Sequence, residues 1–285
     1  VAEATPAAFE GVDIALFSAG AEVSLQLAPE AARRGCTVVD NSSAWRMDPT
    51  VPLVVSQVNP EALDGHRGII ANPNCSTMQL APLLHALQQA AGLKRVVVAT
   101  YQAVSGAGGE AVDDLRAQRR AVVAGETPAS TTVRHAVVES PIPAIDLFLP
   151  DGSTKEETKV VNESRKILGL PALRISATAV RVPVEVGHSE AVHVELERPL
   201  TPEAARTVFA QTAGVFVQDD PASHIYPLAA EAAGSDGIYV GRVRVDQSVE
   251  HGLAFWVVSD NVRKGAATNA VEIAELLLAR GLLHA

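Results

Sequence analysis

The sequence predicts an α/β protein of two domains, the first built on a largely parallel sheet and the second on a sheet of alternating strands. Three observations predict it. A strand, helix, strand rhythm opens the chain, and from 174 to 260 apolar and polar residues alternate in runs of strand length. The 285 residues are 47% hydrophobic, too long for one usual core and apolar enough to bury two.

Residues 12–18 read as a buried strand, 21–34 as a helix closed by Gly35, and 36–40 (CTVVD) as the next strand. Further strands fall at 67–71 and 94–102, separated by a helix that runs from Cys75 to about Ala91 and ends at Gly92. A helix follows over 109–124. The stretch 125–152, rich in Gly, Pro, Ser and Thr and without a period, reads as loop. Either Ser153 with Glu156 or Thr154 with Glu157 forms a capping box, opening a helix that stops at Gly169 before Pro171. Beyond it RISATAVRV, AVHVELE, IYVGRVRV and LAFWVVS alternate as strands, interrupted by a helix opened by Thr201 and Pro202. A last helix over 264–281 is expected to pack back on the first domain. The division is then 1–74 with 262–285 for the first domain and 75–261 for the second.

A formal charge of −10 argues against a nucleic acid or an anionic membrane surface as partner, because both are held by clustered Lys and Arg. Two cysteines far apart, with no CxxC, suggest neither a zinc site nor a disulfide framework, so no metal is expected and a reducing, cytoplasmic setting is. The apolar runs are too short to span a bilayer. The opening VAEATPAAFEG has no initiator Met and no signal-peptide core, and reads as an entry in mid-protein.

The strongest chemical signal is GIIANPNCST at 68–77: a strand, a Pro-fixed turn, and a Cys at the start of a helix. Free N–H groups and the helix dipole favour negative charge there, so Cys75 is expected to have a lowered pKa and to act as a nucleophile. Cys36, in the apolar run CTVV, reads as a small core residue. His188, just after Gly187 at a strand end, is the candidate proton partner for a thiol. Arg181 interrupts an apolar strand and reads either as the bidentate ligand of a carboxylate or as an edge residue with its head in water. Gln102 ends a strand before VSGAGG, a turn that reads either as a cradle for a phosphate or cofactor or as a plain connector. On composition alone Glu156 with Lys159 is an exposed ion pair and Arg46 a solvated loop residue.

Taken together, DIALFSAG, VVDNSSAWRMD, IIANPNCST, TYQAVSGAG, NESRKILG, RVPVEVGHS and SDNVRKGAATNAVEIAELL resemble the aspartate-semialdehyde dehydrogenases, in the family's order and over essentially the whole chain. The resemblance implies a truncated Rossmann-like dinucleotide-binding domain joined to an α+β catalytic and dimerisation domain with a mixed sheet. It implies Cys75 as acyl-thioester nucleophile, His188 as acid–base residue, Gln102 as substrate-orienting group, Arg181 on the substrate carboxylate and Glu156 on its amine. Arg46 and Lys159 would hold phosphate. Ser18, Ala19, Gly20, Ser105, Gly106 and Asn261 would lie against the cofactor, NADP. The implied reaction is reductive dephosphorylation of aspartyl-β-phosphate, on the route to lysine, threonine and methionine, by a homodimer or homotetramer. The family's GxxGxxG loop lies outside these residues, and SPIPAID at 140–146 replaces a stretch that usually carries Phe-Asn before its Ile-Pro. An N-acetylglutamyl-phosphate reductase and a non-catalytic fragment or paralogue are the alternatives.

Overall fold

A computed structural model of the chain describes residues 3–283, so the outermost two residues at each end of the expected first domain lie outside the described residues. Three parallel strands, β1 (Ile14–Phe17), β2 (Thr37–Asp40) and β3 (Ile69–Ala71), form one sheet in that order. Helix α1 (Ala21–Arg33) covers one face through Ala28 and Ala31, which pack with Phe9, Cys36 and Val38. Cys36 is fully buried in this cluster. The other face is covered by α7 (Asn269–Arg280), whose Ile273 and Leu277 pack against Val39, Val54 and Ile70.

Helix α2 (Cys75–Ala91) follows β3 and joins the two sheets. Its Met78 and Ala81 pack with Val51, Leu53 and Val55, while Leu80, Leu83, Leu84 and Leu87 lie on the second sheet. That sheet has six strands in the order β5 (Arg174–Arg181), β4 (Leu93–Gln102), β6 (His188–Leu196), β9 (Gly252–Ser259), β8 (Ile238–Asp246), β7 (Val215–Val217). The β4–β5 and β7–β8 pairs are parallel and the rest antiparallel, so the sheet is mixed. Helices α3 (Gly109–Val123), α4 (Lys155–Leu168), α5 (Pro202–Ala210) and the short α6 (Ala229–Ala232) complete the fold.

Between the two capping alternatives the structure selects Thr154. Its hydroxyl accepts from Glu157 N–H while the Glu157 carboxylate accepts from Thr154 N–H, which leaves Glu156 free to turn inward. One expectation needs correction. The last helix does not run regularly from 264: Arg263–Thr268 is a π-helical stretch, where Asp260 caps the Val262 and Arg263 N–H groups and Gly265 N–H donates to the Asp260 carbonyl. Strand β7 and helix α6 were not foreseen, because each is only three or four residues long and shows no period of its own. Among the described residues no helix is long and apolar enough to cross a membrane.

Candidate active site

The parallel strands end where the two sheets meet. Ser18 follows β1, Asn41 follows β2, and Pro73 and Asn74 follow β3; all four line one cavity of about 560 Å³. Ligands of open parallel sheets bind at the carboxyl ends of their strands. Cys75, Gln102, Glu156, Lys159, Arg181, Arg46, Ser105, Gly106 and Asn261 line the same cavity, although they are spread over some 200 positions of the chain. Ala19 and Gly20 belong to the turn after β1 and are not part of the cavity wall.

Cys75 is placed by its cap. Pro73 fixes the turn, and the Asn74 side chain accepts from Ser76 N–H at 3.0 Å, so Cys75 becomes the first residue of α2. Behind it stands Gly265, where a β-carbon would come within 2.9 Å of the Cys75 β-carbon; only glycine lets the π-helical turn lie this close. The thiol is not the resting thiolate that the helix start led us to expect. Burial, and after it the charge of Glu156, push Cys75 up to about 12 against the opposing pull of Arg46, Arg181 and the Ser76 N–H.

His188 lies at the first position of β6, completely buried beneath the cavity rather than on its wall. Its Nδ1 accepts from the Ala103 N–H at 3.0 Å. A main-chain N–H can only donate, so the neutral ring carries its proton on Nε2. Burial, followed by the charge of Arg181, holds His188 well below the ordinary imidazole range, which keeps it neutral. The 3.4 Å approach of Gln102 Nε2 to His188 Nε2 therefore sets donor against donor and is not a hydrogen bond. Ala103 also binds Arg181, whose guanidinium donates to the Ala103 carbonyl at 2.7 Å. One buried residue thus orients both side chains through its backbone. A β-carbon on Gly106 would lie 3.1 Å from both the Arg181 guanidinium and His188 Nε2, so this glycine leaves room directly over them.

Glu156, Lys159 and Arg46 are not the exposed charges that composition alone suggests. Glu156 and Arg46 are buried and Lys159 is part-buried. One Glu156 oxygen accepts from the Asn74 amide at 2.9 Å and the Gln102 amide at 3.1 Å, and the other from Lys159 at 3.0 Å. Burial raises the Glu156 pKa, but Lys159, Asn74 and Gln102 outweigh it and hold the carboxylate below its usual value. Lys159 also donates to Asp146, and these two carboxylates raise its pKa although burial works the other way. Arg46 donates to Glu163 at 3.1 Å and to the Asn41 carbonyl at 2.9 Å. At the opposite wall the Asn261 carbonyl oxygen accepts from Gly187 N–H at 2.9 Å, and its amide donates to Ser105 at 3.0 Å. Asn261 is therefore tied to the residue just before His188.

Sequence reasoning missed Asn74, Ala103, Asp146 and Glu163. Glu163 had a signal, since it lies two helical turns after Glu156 on the same face of α4. Asp146 had none: it sits in the aperiodic loop at φ +69°, a left-handed value that few non-glycine residues adopt. The SPIPAID stretch that departs from the family pattern holds Arg181, because Ile142 exchanges both main-chain hydrogen bonds with it at 2.8 Å.

A parallel sheet with a cavity at its strand ends, joined to a mixed sheet that contributes Gln102 and Arg181 to the wall while α4 contributes Glu156 and Lys159, points to the class of the semialdehyde dehydrogenases. Residues 1–66 match the semialdehyde dehydrogenase NAD-binding domain and residues 80–264 the semialdehyde dehydrogenase dimerisation domain. The chain is 52% identical over 278 residues to the aspartate-semialdehyde dehydrogenase of Aquifex aeolicus, covering 96% of this chain and 82% of that one. The crystal structure of aspartate semialdehyde dehydrogenase II from Vibrio cholerae superposes with a TM-score of 0.92 at 46% identity, over 95% of this chain and 81% of that one, and its complex with ASA gives the same values. The Candida albicans aspartate semialdehyde dehydrogenase with NADP is more distant, with a TM-score of 0.74 at 25% identity over 95% of this chain and 78% of that one. The chain belongs to the aspartate-semialdehyde dehydrogenase family of oxidoreductases.

Proposed function

We propose that this chain catalyses the NADP-dependent reductive dephosphorylation of aspartyl-β-phosphate to aspartate semialdehyde through a thioester on Cys75, in the biosynthesis of lysine, threonine and methionine. The observation that carries the reading is the convergence of a cysteine, three cations and a buried carboxylate on one cavity over a buried histidine. Each part of the substrate has a partner of matching charge. Arg181 has a guanidinium edge for the α-carboxylate, Glu156 a buried carboxylate for the amine, and Arg46 with Lys159 two cations for the phosphate. The Glu156 carboxylate can only accept hydrogen bonds and keeps its charge, which suits a free ammonium better than an acetylated nitrogen.

The cavity fits a nicotinamide. Gly106 leaves an open cradle over His188 and Arg181, and Ser105 and Asn261 offer a hydroxyl and an amide beside it. These residues would hold the nicotinamide ring, with Ser18 toward the rest of the cofactor. When bound, NADPH supplies the hydride that reduces the thioester carbon. Cys75 attacks the acyl phosphate, its thiol proton leaving with the phosphate toward Arg46 and Lys159, and the thiohemiacetal alkoxide left on Cys75 by reduction collapses to the aldehyde with return of the thiolate. His188, as the Nε2–H tautomer, donates to the substrate oxygen on which negative charge builds. To take the Cys75 proton instead, Nε2 must be vacant, which requires the Nδ1–H tautomer and loss of the bond from Ala103.

The face of the six-stranded sheet that alternates with the α2-facing residues carries Ala191 and Trp256, which with Tyr226 and Leu228 from the segment before α6 line a second cavity of about 430 Å³. With the match to a dimerisation domain, this supports a homodimer or homotetramer. The absence of a membrane-crossing helix among the described residues fits a cytoplasmic enzyme.

The reading is tested by following NADP reduction by aspartate semialdehyde with and without inorganic phosphate, using the full-length protein. Phosphate-dependent reduction is expected, with N-acetylglutamate semialdehyde at least 100-fold poorer in kcat/KM. Reduction that ignores phosphate, or prefers the acetylated aldehyde, removes the assignment. Arg181→Lys is expected to raise KM for aspartate semialdehyde by roughly 30-fold with a smaller change in kcat, because an ammonium cannot serve the Ala103 carbonyl and a carboxylate as a fork. Unchanged KM would take Arg181 off the substrate carboxylate.

A further inference from the structure

Glu163 is almost wholly buried on α4, and its two carboxylate oxygens serve two different elements. One accepts from Arg46 at 3.1 Å; the other accepts the main-chain N–H of Asn74 at 2.7 Å. Asn74 is the cap of the helix that begins at Cys75, and its amide also donates to Glu156. Arg46 is anchored on its other side by the Asn41 carbonyl, while its buried Nε–H has no partner among the described residues. Among the described residues Glu163 is therefore the one carboxylate hydrogen-bonded both to Arg46 and to the residue before Cys75.

A carboxylate present only to neutralise a buried arginine needs no second bond to the backbone next to the nucleophile. Nor does it serve anion affinity, because its charge weakens the pull of Arg46 on a phosphate. What the arrangement supplies is a fixed distance. We propose that Glu163 is a positioning residue for phosphate transfer, holding the Arg46 guanidinium in register with Cys75 through the cap of α2. The proposal rests on the reading of Arg46 as a phosphate ligand. It places the benefit in turnover rather than in binding, since displacement of a reacting group by about 1 Å costs up to about 100-fold in rate.

The test is a double-mutant cycle on the full-length protein with Arg46→Gln, Glu163→Gln and both, measuring kcat and the KM for phosphate in aspartate semialdehyde oxidation, with melting temperatures as a control on folding. A glutamine can accept from only one of the two donors and turns an N–H toward the other. Glu163→Gln is expected to lower kcat by roughly 10-fold to 100-fold without raising the phosphate KM, and to cost less than about 3-fold once Arg46 is already glutamine. An equal loss in both backgrounds, or a raised phosphate KM at unchanged kcat, overturns the proposal. If Arg46→Gln by itself leaves the phosphate KM unchanged, the reading of Arg46 fails and the proposal falls with it, a result distinct from additivity. Should Glu163→Gln not fold, Glu163→Asp keeps the charge but spans only one partner, and it enters the same cycle under the same criteria.

Discussion

Replacing Cys75 by alanine is expected to lower phosphate-dependent turnover by on the order of 10⁴-fold or more, with the fold intact, because among the described residues Cys75 is the one thiol lining the cavity and the hydroxyls there are far weaker nucleophiles. Alanine suits the first turn of α2, and the cap that starts the helix belongs to Asn74, so the loss is chemical rather than structural. Turnover near the wild-type rate would show that the thioester route is wrong. The same cysteine makes a second, pH-dependent measurement. In the free protein burial and Glu156 push the thiol up to about 12, so alkylation by iodoacetamide is expected to be slow at pH 7 and to keep rising beyond pH 9. A substrate ammonium paired with Glu156 would cancel the charge that opposes the thiolate, which links amine recognition to activation of the nucleophile. Glu156→Gln should therefore move the alkylation profile to lower pH, as followed by mass spectrometry. A wild-type midpoint near pH 7 would mean that the helix N-terminus outweighs burial after all.

How legible the site was depended on which atoms act. Cys75 stood out because a strand, a Pro-fixed turn and a helix start are written in consecutive residues, and the structure forms that turn. Its ionisation was not legible. The helix end is local, but the burial and the Glu156 charge that outweigh it arrive from α4, some 80 positions away. Arg46, Glu156 and Lys159 read as surface charges by composition, and only the resemblance placed them in a site; their burial depends on α4 packing against α2 and β5. Ala103 could not have been found from its side chain, since it works through its N–H and carbonyl. The long elements were legible from their periods and caps, including the end of α2 at Gly92 and of α4 at Gly169. Short pieces such as Val215–Val217 are held by neighbours rather than by pattern.

Glu190→Gln is expected to flatten the dependence of stability on pH between about 4.5 and 8. Glu190 lies two residues after His188 on β6, on the same face of the sheet, and is completely buried. Neither carboxylate oxygen has a hydrogen-bond partner among the described residues; Gln79 of α2 approaches without completing a bond, and its own carbonyl oxygen accepts from Ser259. Burial pushes Glu190 up to about 8 against the smaller opposing effect of Gln79. The folded pKa thus lies above the unfolded value, so the folded chain binds the extra proton. Its contribution to stability is fully present below about pH 4.5 and is lost as pH rises through about 8. Across that window the loss amounts to roughly 3–5 kcal/mol, or roughly 5–10 °C in Tm. Glutamine has nearly the same shape and cannot ionise, so the variant should lack this part of the pH slope, whatever its absolute stability. Denaturant melts of both proteins between pH 5 and 9 decide the matter: parallel slopes would show that Glu190 is already ionised and paired in the folded state. The position matters because β6 carries His188 and α2 carries Cys75, and Glu190 with Gln79 stands where the two elements pack, so charging this carboxylate would force apart the elements that hold the two groups in register.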